Sequence, residues 1–255
     1  MGASDGIGLE LAKLLYAKGY NIIISARNQQ KLDNIVAQLN NGQNKIISLP
    51  CDISCNSQLK SAQEVVYSHF ATLDLAIFAC AIYQPTTLND LQNNDFANVI
   101  NINLIGFIAF FEVVAQKMLQ QQRGHIAVIA SVAGYVGLPK SYAYGASKAG
   151  IINFCEGVYA ELKTNNIDLS LINPGFVATR LTAKNNFYMP NIIMPAKAAE
   201  LIYQGLQAKR FEIAFPTKFI IAMKIIRIMP YKILLAILRL IKQKERVDSE
   251  KHLKH

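Results

Sequence analysis

The chain has 255 residues, 52% hydrophobic and 17% charged, enough for one well-buried α/β domain and unlike a disordered or fibrous chain. Four cysteines without a Cys-x-x-Cys pair, and only four histidines, argue against a zinc site or a disulfide framework; no metal is expected, and Cys51, Cys55, Cys80 and Cys155 read as small apolar residues in a reducing, cytoplasmic setting. The net charge of +9 is uneven: residues 1–209 carry 15 Lys and Arg against 13 Asp and Glu, whereas residues 210–255 carry 11 against 4, so a near-neutral body that does not suit nucleic acid precedes a basic tail.

The N-terminus lacks the basic region and apolar run of a signal peptide. The chain opens instead on Gly2-Ala3-Ser4-Asp5-Gly6-Ile7-Gly8, leading into a helix predicted over residues 6–18. Glycines here permit a tight turn and close approach of the backbone to a phosphate, and the helix N-terminus adds N–H groups and partial positive charge. Such a loop normally follows a strand that aims it. That strand is absent from this sequence, so either translation starts further upstream or the product does without a central strand; the first is favoured.

Apolar, β-branched runs at 21–26, 45–49, 74–79, 125–130 and 167–173 read as buried strands. Between them lie helices predicted over 29–40, 57–70, 93–121, 143–164 and 196–208. Alternation of this kind predicts a doubly wound, Rossmann-type parallel sheet with helices on both faces. The catalytic domain is assigned to residues 1–215 and the tail to 216–255.

Tyr144 and Lys148 stand four apart on a predicted helix and so share a face. A phenol titrates near pH 10, too high for proton exchange at neutrality; a nearby ammonium is expected to lower that value and let the phenol work on a carbonyl or alcohol oxygen. Tyr142 has Ala146 rather than a cation four residues on and is read as packing or pocket lining. Ser131 ends the run Ile126–Ala130, where a hydroxyl faces the crevice that such sheets use for ligands.

Taken in order, the Gly2–Gly8 loop, Asp52-Ile53, Asn103, Ser131, the Tyr144–Lys148 pair and Asn173-Pro174-Gly175 make the chain resemble the short, single-domain short-chain dehydrogenases/reductases, from Gly2 to about Phe215. The resemblance implies hydride transfer between a nicotinamide cofactor and a ketone or secondary alcohol. It makes Tyr144 the acid/base, has Lys148 hold the ribose and tune the tyrosine, gives Ser131 the reacting oxygen, and has Asn103 hold a relay water behind Lys148. It implies cofactor contacts from Gly2, Ser4, Gly6, Ile7 and Gly8, from Asp52 and Ile53 at the adenine, and from Pro174, Gly175, Val177 and Thr179 over the nicotinamide. One departure is Phe78-Ala79-Cys80-Ala81, where the family usually has Asn-Asn-Ala-Gly, so bracing hydrogen bonds near the cofactor need replacement.

At the end of the second family strand, where an acid selects NAD(H), the chain has Ala26 and then Arg27. A guanidinium pairs with a 2′-phosphate, so NADP(H) is expected, with NAD(H) as the alternative and Asp5 as the contrary sign. The apolar segment Phe187-Tyr188-Met189-Pro190 points to a hydrophobic, lipid-like carbonyl or alcohol. A rival reading keeps the fold as a non-catalytic NADP(H)-binding sensor or scaffold. In the tail, Lys232, Arg239, Lys242 and Arg246 fall on one helical side and Leu234, Ile237, Leu238 and Ile241 on the other. Such a helix either lies on an anionic membrane surface or docks on its own domain or on a second subunit of a homo-oligomer.

Overall fold

The computed structural model describes residues 1–88, 92, 95–185, 187 and 189–252, with side chains as far as residue 241. Five of its strands are those expected from the β-branched runs: β1 (Ile22–Ala26), β2 (Ile46–Pro50), β3 (Leu75–Phe78), β4 (Gly124–Ile129) and β5 (Ile167–Pro174). A sixth, β6 (Glu212–Phe215), was not expected; it is four residues long and begins on a charged residue, so it carries little strand pattern.

All pairings are parallel, in two sheets of order β1-β2 and β3-β4-β5-β6. The strand expected ahead of the glycine loop is not among the described elements. Between β1 and β3 lies a cavity of about 460 Å³, lined by Ile22 to Ser25 on one side and Leu75 to Ile77 on the other. Across its top residues 1–3 join the two sheets: Gly2 and Ala3 N–H donate to Ser25 O at 2.7 and 3.1 Å, while Met1 donates from its amine to Ile77 O and accepts from Ala79 N–H, both at 2.9 Å.

Helices cover both faces. On one, α1 (Gly6–Ala17) and α7 (Pro195–Gln207) bury Leu11, Leu15, Ala198, Ile202 and Leu206 against Ala127, Ile129 and Ile172, while α2 (Gln29–Leu39) buries Leu32 and Ile35 against Ile24. On the other, α3 (Asn56–His69), α5 (Gly106–Gln121) and α6 (Tyr142–Thr164) bury Leu59, Phe107, Val114, Ile151 and Cys155 against Phe78, Val128 and Leu171. Burial of such side chains contributes roughly 1.5–3 kcal/mol each relative to exposure, which holds the layers together.

The helix expected over 93–121 is broken into α4 (Phe96–Ile100), a π-helical turn (Asn101–Ile105) and α5; residues 93 and 94 lie outside the described part. The span Phe96–Gln121 is long and apolar enough to cross a membrane, yet Phe107, Phe110, Val114 and Met118 face the sheet, which is the pattern of a core helix.

The tail forms α8 (Thr217–Arg227) and α9 (Tyr231–His252). Ile220 and Met223 of α8 and Leu234 of α9 are buried in the same core as α5 and α6, with Leu238 packed against it. Of the readings open for this apolar side, Leu234 and Leu238 take the one in which it docks on the chain's own domain. Lys242 and Arg246, the outer half of the expected basic side, have side chains outside the described part.

Candidate active site

The glycine loop is built around Asp5, which caps α1 by accepting from the Gly6 N–H at 2.7 Å. Gly2 has φ +85°, and a Cβ there would sit 2.7 Å from the Ala79 carbonyl carbon. A Cβ on Gly8 would lie 2.2 Å from the Gly2 oxygen. Neither position can carry a side chain, so the loop keeps its backbone, through Ser4 and Ile7, open at the start of α1. That is a cradle a dinucleotide pyrophosphate fits. From across the crevice the methyl group of Thr179 comes 3.1 Å from the place a Gly6 Cβ would take. Arg180 and Lys31 bring cations to Asp5, at 3.3 and 3.6 Å. Neither of these two was singled out in the sequence, because each is remote from the loop along the chain.

Arg27 is exposed immediately after β1. Asp52, on the loop after β2, accepts from the Ser54 N–H and hydroxyl at 2.9 and 2.7 Å; these bonds hold its carboxyl below the ordinary value, with Arg27 adding a smaller pull. Ile53 is buried, and its side chain lies 2.8 Å from where a Cβ on Gly106 would be. It therefore packs inward on α5 as well as flanking the crevice.

Ser131 follows β4 and caps a short 3-10 turn, accepting from the Ala133 N–H at 3.1 Å. Tyr144 lies beside it, and Ser131 pulls the phenol down. Lys148, one turn further along α6, is only 1% exposed and donates from Nζ to the Ile129 carbonyl at 2.7 Å. The structure thus brings Ser131, Tyr144 and Lys148 together, while Tyr142 is left exposed.

The electrostatics differ from the expectation. Burial pushes the Tyr144 phenol up to about 12, with Ser131 opposing and Tyr83 adding to the rise. The ammonium expected to lower it sits over the ring, 5.6 Å from its centroid, and is committed to Ile129. Burial lowers Lys148 in turn to about 7. The protein's own groups therefore favour the neutral phenol.

Asn103 is fully buried within the π-helical turn. Its Oδ1 accepts from Ile82 N–H at 2.8 Å, and its Nδ2 donates to Ile82 O at 3.0 Å and to Ser147 Oγ at 3.1 Å. Ser147 in turn donates to the Tyr144 carbonyl at 2.7 Å. These bonds make the side chain a brace. It clamps the segment after β3 at Ile82, just past the stretch where Phe78 and Ala79 stand in place of the family's two amides, and ties it to α6. Ser147 was missed in the sequence, although it sits directly before Lys148.

Tyr83 was also missed; its ring packs edge-on against Tyr144 with centroids 5.0 Å apart, and its carbonyl accepts from Lys184 at 2.8 Å. Past β5, the Gly175 N–H donates to Phe215 O at 2.8 Å, Val177 is buried and bridged to Ile193, and the Thr179 N–H donates to Thr182 Oγ1 at 3.0 Å. Pro174 ends β5 itself, and Asn173 before it donates to Glu212 at 3.2 Å. Phe176 lies between Phe187 and Phe219, at 5.9 and 5.7 Å between centroids, giving the crevice an aromatic wall. Tyr188, expected in the same wall, lies outside the described residues. Among the described residues no cluster of metal-ligating side chains occurs.

The model of the family described as short chain dehydrogenase matches residues 1–188. Carbonyl reductase family member 4 of Xenopus laevis is 30% identical over 182 residues, covering 71% of this chain and 75% of that protein. An uncharacterized oxidoreductase of Staphylococcus aureus strain USA300 is 28% identical over 205 residues, covering 80% of this chain and 88% of the relative. In fold the chain is similar to a short-chain dehydrogenase of Sphingobium yanoikuyae in complex with NADPH (TM-score 0.76, 22% identity, 85% of this chain and 86% of that one). It is likewise similar to a short chain dehydrogenase/reductase of Burkholderia phymatum in complex with NAD (TM-score 0.79, 22% identity, 88% and 89%).

Proposed function

Since the chain belongs to the short chain dehydrogenase family of oxidoreductases, we propose that it interconverts a ketone and its secondary alcohol with NADP(H), using Tyr144 as the proton donor and acceptor. The observation that carries this reading is the placement of Tyr144 between Ser131, which caps the turn after β4, and the buried Lys148 one helical turn further along α6. When bound, the cofactor supplies the hydride, which goes to the carbonyl carbon. Ser131 donates to the carbonyl oxygen and orients it; Tyr144 passes its proton to that oxygen as charge builds there, closing the balance at one alcohol. Lys148 returns a proton toward the phenolate, for which a group titrating near 7 is well matched at neutrality. Ser147, which donates to the Tyr144 carbonyl, and Asn103, which donates to Ser147, act as positioning residues and touch no reacting atom.

The raised phenol gives a direction to the pH dependence. A phenol held up to about 12 is a weaker acid than a free one but keeps its proton across the neutral range, so ketone reduction is expected to persist into mildly alkaline solution. Alcohol oxidation needs the phenolate and should climb with pH throughout that range. Initial rates in both directions between pH 6 and about 10 read this out. An oxidation rate that falls as pH rises would contradict the assignment.

The preference for NADP(H) over NAD(H) rests on Ala26 where a selecting acid would sit, on exposed Arg27 beside it, and on Lys31 near the loop. Arg27→Ala is expected to weaken NADPH at least about tenfold and NADH little, because only NADPH carries the 2′-phosphate. Calorimetric titration of both cofactors is the measurement; equal losses would mean that Arg27 serves the adenine or the fold instead. The aromatic wall of Phe176, Phe187 and Phe219 supports a hydrophobic substrate. Four free cysteines, two of them buried, support a reducing, cytoplasmic setting.

A further inference from the structure

The two tail helices each bury one face and leave another apolar face outward. In α8 the inner face is Ile220 and Met223, and ion pairs hold its flanks: Lys224 to Glu212, and Arg227 to Glu156 at 3.6 Å. The opposite face carries Ile221, Ile225 and Ile228, spaced i, i+4, i+7 and so aligned as one stripe. They are 54%, 48% and 81% exposed. In α9, Leu234 and Leu238 turn inward while Ile233 and Leu240 turn away, and Tyr231 stands exposed at the corner between the helices. Of the 14 exposed large hydrophobic side chains among the described residues, eight fall between Ile221 and Ile241. Apolar side chains concentrated in this way on a surface mark an interaction site.

Charge decides what covers it. Lys218, Lys232 and Arg239 are exposed around the stripe, within a segment that carries 11 Lys and Arg against 4 Asp and Glu. A second copy meeting this face by two-fold symmetry would set the same basic patch against itself. An anionic surface with an apolar interior complements both features. Spanning is ruled out by length, because the longest uncharged run of α9 is Ile233–Leu238.

We propose that the outer face of α8 and α9, with Ile221, Ile225 and Ile228 as its apolar stripe, docks the protein in the plane of an anionic lipid bilayer. This inference uses no part of the redox site and stands or falls apart from it. Docking here sets the bilayer beside the crevice, because Phe219 in the first turn of α8 packs on Phe176.

The test is flotation of the full chain with vesicles of phosphatidylcholine, with and without phosphatidylglycerol. Two variants are compared: Ile221→Ser/Ile225→Ser/Ile228→Ser, and Lys218→Gln/Lys232→Gln/Arg239→Gln. All six positions bar Ile225, itself half-exposed, are well exposed, so both variants should melt like the parent. The parent is expected to bind anionic vesicles at least about tenfold better than neutral ones, and salt should weaken that binding. Each variant should lose at least about tenfold on anionic vesicles. Three results would each overturn the proposal: a parent that stays unbound on anionic vesicles at low salt, variants that bind like the parent, or a parent dimer in sedimentation that the isoleucine variant dissociates. The last would assign the stripe to a second copy.

Discussion

Tyr144→Phe is expected to lower turnover of any accepted ketone by at least about a hundredfold while leaving the fold and NADPH binding intact. The substitution keeps the ring that packs edge-on against Tyr83 and removes only the hydroxyl. What is lost is the proton that must reach the substrate oxygen. The neighbouring substitution Tyr142→Phe removes the same atom from a side chain that is 40% exposed and should change turnover little. Steady-state rates, cofactor titration and thermal melting of both variants form one experiment. Turnover within a few-fold of the parent for Tyr144→Phe would end the acid/base assignment.

Lys148→Met should separate function from stability. Methionine has a similar length and no charge, so it can occupy the same buried channel. Turnover is expected to fall by about a hundredfold or more as the proton source behind Tyr144 is lost. Burial holds the folded-state lysine near 7 against an ordinary value of 10.5. Between those values the unfolded chain binds the proton and the folded chain does not, so stability rises with pH and the penalty is fully present below about 7. Buried thiols act in the opposite direction, though only above about pH 8.5. The parent should therefore gain melting temperature from about pH 7 to 8.5 relative to the variant, whose profile should be flatter in that window. Parallel profiles would show that this lysine does not titrate there.

The parts legible in the sequence are those whose chemistry is local. β1 to β5 announce themselves because a strand buried on both faces is a run of β-branched residues, and Gly2, Gly6 and Gly8 because only glycine tolerates that approach. β6 was not legible, since four residues starting on Glu212 carry no such run. The π-helical turn at Asn101–Ile105 was hidden because its composition is that of the flanking helices. The partners of the central residues were hidden for another reason. Lys148 is held by the Ile129 carbonyl and Asn103 by the backbone of Ile82, and a main-chain group has no letter in the sequence. The tail shows the limit of periodicity. The spacing picked out one apolar side of α9, and Leu234 with Leu238 on it meet the domain; the second, outward apolar face with Ile233 and Leu240 was missed.

The packing of Phe219 against the loop after β5 has a consequence of a different kind. A Cβ on Gly175 would come within 2.9 Å of the Phe219 ring, and Phe176 stacks on the same ring, so α8 and the loop assigned to cover the nicotinamide cannot move independently. On the proposed assignments, two ligands that never touch, a dinucleotide and a bilayer, then share one mechanical element. Thermodynamic linkage makes their influence mutual: the factor by which a bilayer alters cofactor affinity equals the factor by which cofactor alters partition onto the bilayer. An enzyme so arranged would read its own cofactor supply as a change in where it resides.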